Sequence, residues 1–150
     1  MNVSIRQTTP PGHHVVLYDG HCRFCTAAAR KLLRLARPGA LTALNFQDQG
    51  VLERFPGLTF DLCMKQMQLV TPEGRVYGGF EAAVQALATR PLVRLAVSIY
   101  YLPGVRQLCD WLYSVVAANR YRISGKTAQG ECESGTCALH FPAKSVTRNA

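Results

Sequence analysis

The chain has 150 residues, of which 48% are hydrophobic and 17% charged, a composition typical of a folded globular domain rather than of a disordered chain. Its formal net charge of +8 is diffuse along the sequence, and no helix-turn-helix, zinc-finger or RNA-stacking signature accompanies it. Nucleic acid is therefore not an expected partner. The apolar stretch 95–105 is about half as long as a membrane span, and the first residues lack the apolar core of a secretory signal. We therefore expect a cytoplasmic protein with no integral membrane segment, whose cysteines are thiols.

Three regions are predicted along the chain. Residues 1–14 read as a polar leader that ends in Pro-Pro-Gly-His-His. Residues 15–120 form a domain with a helical extension. Residues 121–150, rich in glycine, serine and threonine, predict an irregular tail that contains cysteines.

The first half of the domain predicts a strand, a helix, a strand and a short helix. Residues 15–18 are apolar, largely β-branched and followed by Asp-Gly, as is typical of a buried strand. Over residues 22–37 the apolar positions recur with helical spacing, and the Pro-Gly pair that follows ends the helix. Residues 41–46 predict a second strand, parallel to the first because a helix connects them. A short helix is expected around residues 49–55.

The next segment predicts a β-hairpin and another helix. Polar and apolar side chains alternate over residues 65–70, and a Thr-Pro-Glu-Gly turn leads into a strand at 75–77. A helix then covers residues 80–89. The order β-α-β-α-β-β-α is that of the thioredoxin fold, so we expect an α/β domain of this class.

Two additional C-terminal helices are predicted, over residues 92–102 and 105–119. We expect core packing to account for the apolar residues of the first. In the second, a stripe with helical spacing is expected to face the core; it consists of Val105, Leu108, Leu112, Val115 and Val116.

Two cysteines three residues apart stand where the first predicted strand gives way to the first helix. The N–H groups and the positive dipole end of a helix N-terminus stabilise an anion, so Cys22 is expected to ionise more readily than a free cysteine. Arg23 and a protonated His21 would act in the same direction. Cys25 lies one turn onward, close enough to attack a disulfide formed on Cys22, but is expected to be deeper and less accessible. This asymmetry predicts a dithiol that exchanges disulfides.

Asp19 lies three residues before Cys22, at the end of the predicted strand. A carboxylate there could take the proton of Cys25 when that cysteine resolves a mixed disulfide. An Asp-Gly pair is also ordinary in a turn, and an aspartate near a helix start is an ordinary cap. The sequence leaves both roles open.

The motif Asp-x-x-Cys-x-x-Cys at residues 19–25 resembles the signature of the DCC family of thiol-disulfide oxidoreductases. The segments 71–79, 102–104 and 113–120 resemble the family's hairpin and closing helical region, so the likeness covers about residues 15–125. It implies a thioredoxin-like fold with Cys22 as the nucleophile and Cys25 as the resolving cysteine. Candidate supporting residues in the motif are Tyr18, Gly20, His21 and Arg23. The chain departs from well-studied thioredoxins in having no proline from 57 to 71, where that superfamily normally presents one to the active site.

Four further cysteines lie outside the motif. Cys63 and Cys109 stand in apolar surroundings and are expected to be small buried hydrophobes. Cys132 and Cys137, with His140 nearby, allow three interpretations: a second redox pair that relays electrons to the motif, half of a zinc site completed by the motif, or simple tail cysteines.

The function expected from the sequence is a cytoplasmic thiol-disulfide oxidoreductase of the protein-disulfide reductase type, with no bound metal or organic cofactor. Its partners would be a protein or small-molecule disulfide and an electron donor that the sequence does not identify. The alternative is a zinc-binding structural or interaction module that uses both cysteine pairs, Cys22/Cys25 and Cys132/Cys137.

Overall fold

A computed structural model describes residues 6–125 of the chain. The strands are β1 (Arg6–Gln7), β2 (His14–Tyr18), β3 (Leu41–Asn45), β4 (Gln68–Val70) and β5 (Arg75–Gly78). The α-helices are α1 (Arg23–Leu35), α2 (Phe60–Lys65), α3 (Gly79–Leu87), α4 (Pro91–Val97) and α5 (Val105–Ser124). Two short 3-10 helices cover Leu52–Arg54 and Ser98–Tyr101.

The strands form one mixed sheet in the order β1-β5-β4-β2-β3. Strand β2 pairs in parallel with β3 and antiparallel with β4, and β5 pairs antiparallel with both β4 and β1. The α/β class is therefore confirmed, and the arrangement is consistent with a thioredoxin-like fold. The sequence does not predict strand β1, which lies within the expected polar leader and adds an edge strand by pairing Arg6 with Val76.

Strand β2 is buried on both faces, which places its carboxyl end inside the protein. Val16 and Tyr18 pack toward α1 and α3, whereas Val15 and Leu17 pack on the opposite face, where α2 lies. Because successive residues of a strand point to opposite faces, this one short segment contributes to two hydrophobic clusters. The motif that follows β2 therefore begins at a buried position.

The predicted strand at residues 65–70 is wrong in its first half. Residues 60–65 form helix α2, and β4 begins only at Gln68. The side chain of Thr59 accepts a hydrogen bond from the backbone N–H of Leu62, so a helix cap overrides the local alternation. The short helix expected near 49–55 is a 3-10 turn at Leu52–Arg54.

Three of the five residues in the predicted apolar stripe of α5 face solvent rather than the core. Leu108, Leu112 and Val115 are 56%, 48% and 43% exposed. The helix packs instead through smaller or polar residues on an adjacent face, namely Cys109, Tyr113, Val116, Ala117 and Arg120. Helix α5 also continues to Ser124, past residue 120, where the sequence predicted the irregular tail to begin.

Helix α4 also exposes apolar residues that the sequence predicts to be buried. Leu92 and Leu95 are 91% and 81% exposed, so core packing does not account for these two residues, whereas Tyr100, later in the predicted helix, is buried. Only Val93 and Val97, one turn apart, are half-buried. Within residues 6–125, no helix is long and apolar enough to cross a membrane.

Candidate active site

Cys22 is the residue that caps helix α1. Its backbone is extended, with φ −104° and ψ 112°, and its Sγ accepts a hydrogen bond from the backbone N–H of Cys25 at 3.2 Å. The carbonyl of Cys22 accepts the first helical hydrogen bond, from Thr26 at 3.0 Å. The sulfur therefore occupies the place that a hydroxyl or carboxylate oxygen takes in ordinary caps, where the helix dipole favours negative charge.

The two thiols of the motif have opposite acidities. The pKa of Cys22 is lowered to about 7, chiefly because the Cys25 thiol donates a hydrogen bond to its sulfur, and the backbone N–H of Cys25 adds to this effect. The pKa of Cys25 is raised, first because its proton is held in that hydrogen bond and second because the thiol is partly buried. Near neutral pH the pair is therefore poised as a Cys22 thiolate beside a protonated Cys25.

The accessibility of the two cysteines is the reverse of what the sequence predicts. Cys22 has no exposed surface, whereas Cys25 is partly exposed and lines a surface groove. The physical reason is the cap itself, since the Cys22 sulfur turns back onto the first turn of α1 to meet the N–H of Cys25. The lower pKa thus favours Cys22 as the attacking thiol, whereas the greater exposure favours Cys25.

Asp19 is buried, with 3% of its surface exposed, and both of its carboxylate oxygens are engaged. Its Oδ1 accepts hydrogen bonds from the backbone N–H of His21 at 3.0 Å and from Gln47 Nε2 at 2.6 Å. Its Oδ2 accepts a hydrogen bond from the Tyr121 hydroxyl and lies 3.6 Å from Arg120 Nη2. The carboxylate therefore joins the motif to the last turns of α5.

Arg120 is a buried cation beside both thiols. Its side chain is 7% exposed, it donates a hydrogen bond to the carbonyl of Met64, and it stacks 4.8 Å from the ring of Tyr121. Its positive charge lowers the pKa of Cys22 and opposes the rise in that of Cys25. Its Nε is buried and has no hydrogen-bond partner in the described part of the chain, so one donor is unused.

Sequence reasoning missed Arg120, Tyr121 and Gln47 as site residues. Arg120 and Tyr121 are about a hundred residues from Asp19 along the chain, and no spacing rule joins positions so distant. One signal was present, because the segment that resembles the family's closing helix ends at Arg120. A buried arginine needs a partner, and the buried carboxylate of the motif is a suitable one.

Gly20 and His21 support the motif in different ways. The backbone N–H of Gly20 donates to Asn45 Oδ1 at 2.9 Å, and a Cβ at residue 20 would lie 2.6 Å from the Asn45 side chain. Asn45 is itself buried and cannot easily move aside. His21 contacts Gln47 through Nδ1, so Gln47 bridges His21 and Asp19.

The remaining predicted supporting residues differ in their surroundings. Tyr18 is 2% exposed and ends β2, with its carbonyl bonded to the N–H of Phe46. Arg23 is exposed on the first turn of α1. The cation that affects the pKa values of both thiols is Arg120, and its effect is smaller than that of their mutual hydrogen bond.

Of the other cysteines, Cys63 is buried, and burial raises the pKa of its thiol to about 11. Cys109 is partly buried on α5. Cys132, Cys137 and His140 lie outside the described residues. Within the described range, no group of three or more histidine, cysteine or acidic side chains is placed to hold a metal ion.

The sheet, the capped Cys-x-x-Cys and the buried carboxylate are features of a thiol-disulfide exchange protein. The chain belongs to the DCC1-like thiol-disulfide oxidoreductase family, whose model matches residues 16–126. It is also 28% identical over 126 residues to YuxK, an uncharacterized protein of Bacillus subtilis (strain 168), and the match covers 80% of this chain and 85% of YuxK. No solved structure matches significantly. The resemblance to the family is confirmed, and with it a general thiol-disulfide oxidoreductase function that acts on disulfides.

Proposed function

We propose that the chain is a cytoplasmic enzyme that reduces disulfides of proteins or small molecules with the dithiol of Cys22 and Cys25. The observation that carries the proposal is the Cys22 sulfur at the start of α1, which accepts a hydrogen bond from the backbone N–H of Cys25 and whose pKa is lowered there. A thiol with a pKa of about 7 is about half thiolate at pH 7, compared with about 1% for one with a pKa of 9.0.

The proposed cycle moves two electrons in two exchange steps. The Cys22 thiolate attacks one sulfur of the substrate disulfide, whose other sulfur leaves as a thiolate and takes a proton. Cys25 then loses its proton and attacks the Cys22 sulfur of this mixed disulfide, which releases the second substrate thiolate. The products are a reduced substrate and a Cys22–Cys25 disulfide, which a thiol electron donor must reduce.

Asp19 and Arg120 have distinct proposed roles in the second step. Once the Cys22 sulfur is bonded to substrate, it no longer holds the Cys25 proton, and the buried carboxylate of Asp19 is the proposed acceptor of that proton. Arg120 holds the Asp19 carboxylate in position through the ion pair, and its charge favours the thiolate of Cys25. In this scheme Arg120 is a positioning residue.

The burial of Cys22 sets a condition on the first step. A substrate sulfur must come in beside the partly exposed Cys25, and the Cys22 side chain must turn away from its capping position to meet it. Loss of a cap typically costs about 1 kcal/mol, so this movement adds little to the cost of an exchange in which one S–S bond forms as another breaks.

Single-turnover oxidation tests the proposal. The reduced chain, freed of small thiols, is mixed with excess insulin as the protein disulfide, and its own disulfides are mapped by mass spectrometry. We expect a Cys22–Cys25 disulfide and new insulin thiols, and neither from Cys22→Ser. Ala27→Ser places the same side chain at an exposed site on α1 and is expected to behave as the unmodified chain. Oxidation that leaves Cys22 and Cys25 reduced would contradict the proposal.

A further inference from the structure

A groove with a volume of about 490 Å³ lies between helices α1 and α5. Its apolar walls are formed by Phe24, Ala28 and Leu35 on α1 and by Leu112 and Val116 on α5. Phe24, Leu35 and Leu112 are 37%, 45% and 48% exposed, which is unusual for large apolar side chains that line one cleft. Contact with another apolar group would remove this surface from water, which is energetically favourable.

The groove leads to the reactive pair. Cys25 lines it, and the Cys25 backbone N–H donates a hydrogen bond to the Cys22 sulfur. An occupant of the groove therefore places its own atoms beside the disulfide-exchanging thiols. For that reason the occupant we consider is the part of a substrate that flanks its disulfide.

The charges around the groove restrict the occupant further. The charged residues that line it are Asp19, Lys31 and Arg120. Asp19 and Arg120 form an ion pair with each other, so the charge that the groove presents at its exposed edge is that of Lys31. A basic segment would be repelled, whereas an apolar segment with a neutral or acidic residue fits.

A substrate backbone cannot pair with the N–H of Met67, which lies in the loop before β4. The Met67 N–H, which lies within the proline-free stretch, donates to the Tyr113 hydroxyl of α5 at 3.0 Å. Met67 itself lines the groove. Recognition in this region must therefore depend on side chains rather than on strand addition.

We propose that the groove between α1 and α5 binds an apolar, non-basic polypeptide segment next to the substrate disulfide and so sets the substrate class of the enzyme. The inference rests on the proposed function for its biological meaning, but binding itself requires no redox step. Peptides in which large apolar residues flank the cystine are the preferred substrates, with a lower KM than peptides flanked by serine or lysine.

Protection of Cys109 from alkylation tests binding without any exchange reaction, since Cys109 also lines the groove. The full reduced chain is treated with iodoacetamide in the presence of a cysteine-free octapeptide of leucine, phenylalanine, valine and one glutamate, and modification is mapped by mass spectrometry. We expect this peptide to slow alkylation of Cys109 several-fold, and a serine- and lysine-rich octapeptide to leave it unchanged.

Two matched variants locate the effect. Leu112→Gln removes an apolar wall and is expected to weaken peptide binding about three- to tenfold, the amount expected for a half-exposed leucine that becomes buried. Leu108→Gln changes a leucine one turn earlier on α5 that does not line the groove, and should bind as the unmodified chain does. Equal losses in both variants, or no protection by either peptide, would overturn the proposal.

Other occupants give different results. Protection of Cys109 that grows with protein concentration and needs no peptide would identify a second copy of the chain. Faster alkylation of Cys109 in Leu139→Ser/Phe141→Ser without peptide would identify the C-terminal segment. Either result overturns the proposal. Peptide protection together with no insulin reduction would leave the groove intact and contradict only the proposed function.

Discussion

Replacement of Asp19 by asparagine tests the buried ion pair that joins the motif to α5. The side chains of Asp19 and Arg120 are 2% and 7% exposed, so solvent screens them little. Asparagine removes the negative charge and leaves the guanidinium buried without its partner. Such a change typically costs about 3–5 kcal/mol of unfolding free energy. The amide NH2 would also face a group that can only donate, either the backbone N–H of His21 or the guanidinium of Arg120.

This result differs from what a turn or cap role would give, because asparagine serves nearly as well as aspartate in either. Urea unfolding under reducing conditions measures the loss. Asp61→Asn, at an exposed aspartate, serves as the control and is expected to change the free energy by no more than about 0.5 kcal/mol. A loss below about 1 kcal/mol for Asp19→Asn would refute the claim that the pair is desolvated and mutually dependent.

A double-mutant cycle separates the pair from the rest of the network. We expect Asp19→Asn combined with Arg120→Met to cost less than the sum of the two single changes, by about 0.5–3 kcal/mol, because the second change removes the charge that the first leaves unpaired. Additive losses would mean that the two side chains stabilise the fold independently. If Asp19 also accepts the Cys25 proton, the mixed disulfide persists longer in Asp19→Asn near neutral pH than at alkaline pH.

Three further results are expected. The alkylation rate of Cys22 should rise with pH and level off with a midpoint near 7, because its lowered pKa makes the thiolate available about two pH units below an ordinary thiol. A midpoint near 9 would contradict the assigned hydrogen bonds. Elemental analysis of the purified reduced chain should show far less than one zinc per chain, and stoichiometric zinc that is lost in both Cys22→Ser and Cys132→Ser would favour the zinc module. If Cys132 and Cys137 relay electrons, one of the three interpretations of the tail pair, Cys132→Ser/Cys137→Ser should release fewer insulin thiols in a single turnover than the full chain, and an equal yield would leave the tail pair without a redox role.

The sequence is most informative where a feature depends on neighbouring residues. Cys22 caps α1 as expected because strand, turn and helix start are all encoded within residues 15–25. The hairpin is predicted for the same reason, since the Thr-Pro-Glu-Gly segment at residues 71–74 favours a turn. The structure agrees, because β4 and β5 pair antiparallel across that turn.

Properties that depend on tertiary packing could not be predicted in the same way. The partial exposure of Cys25 depends on the groove that α1 forms with α5, and the burial of Cys22 on the direction in which its sulfur turns to cap the helix. The apolar stripe with Leu108 and Leu112 has the spacing of a core face, yet α5 docks through a neighbouring face, where Tyr113 bonds to Met67. Helical periodicity identifies a face that can be buried, but it does not say which of two adjacent faces meets the sheet.

The central claim is that Cys22 attacks and Cys25 resolves, although Cys25 is the more exposed thiol. Covalent trapping tests it most directly: each serine variant is incubated with insulin, and the mixed disulfide is mapped by mass spectrometry. The account predicts that Cys25→Ser accumulates insulin on Cys22 and that Cys22→Ser accumulates none. An adduct on Cys25 in Cys22→Ser, with none on Cys22 in Cys25→Ser, would show that exposure rather than acidity selects the nucleophile and would contradict the account.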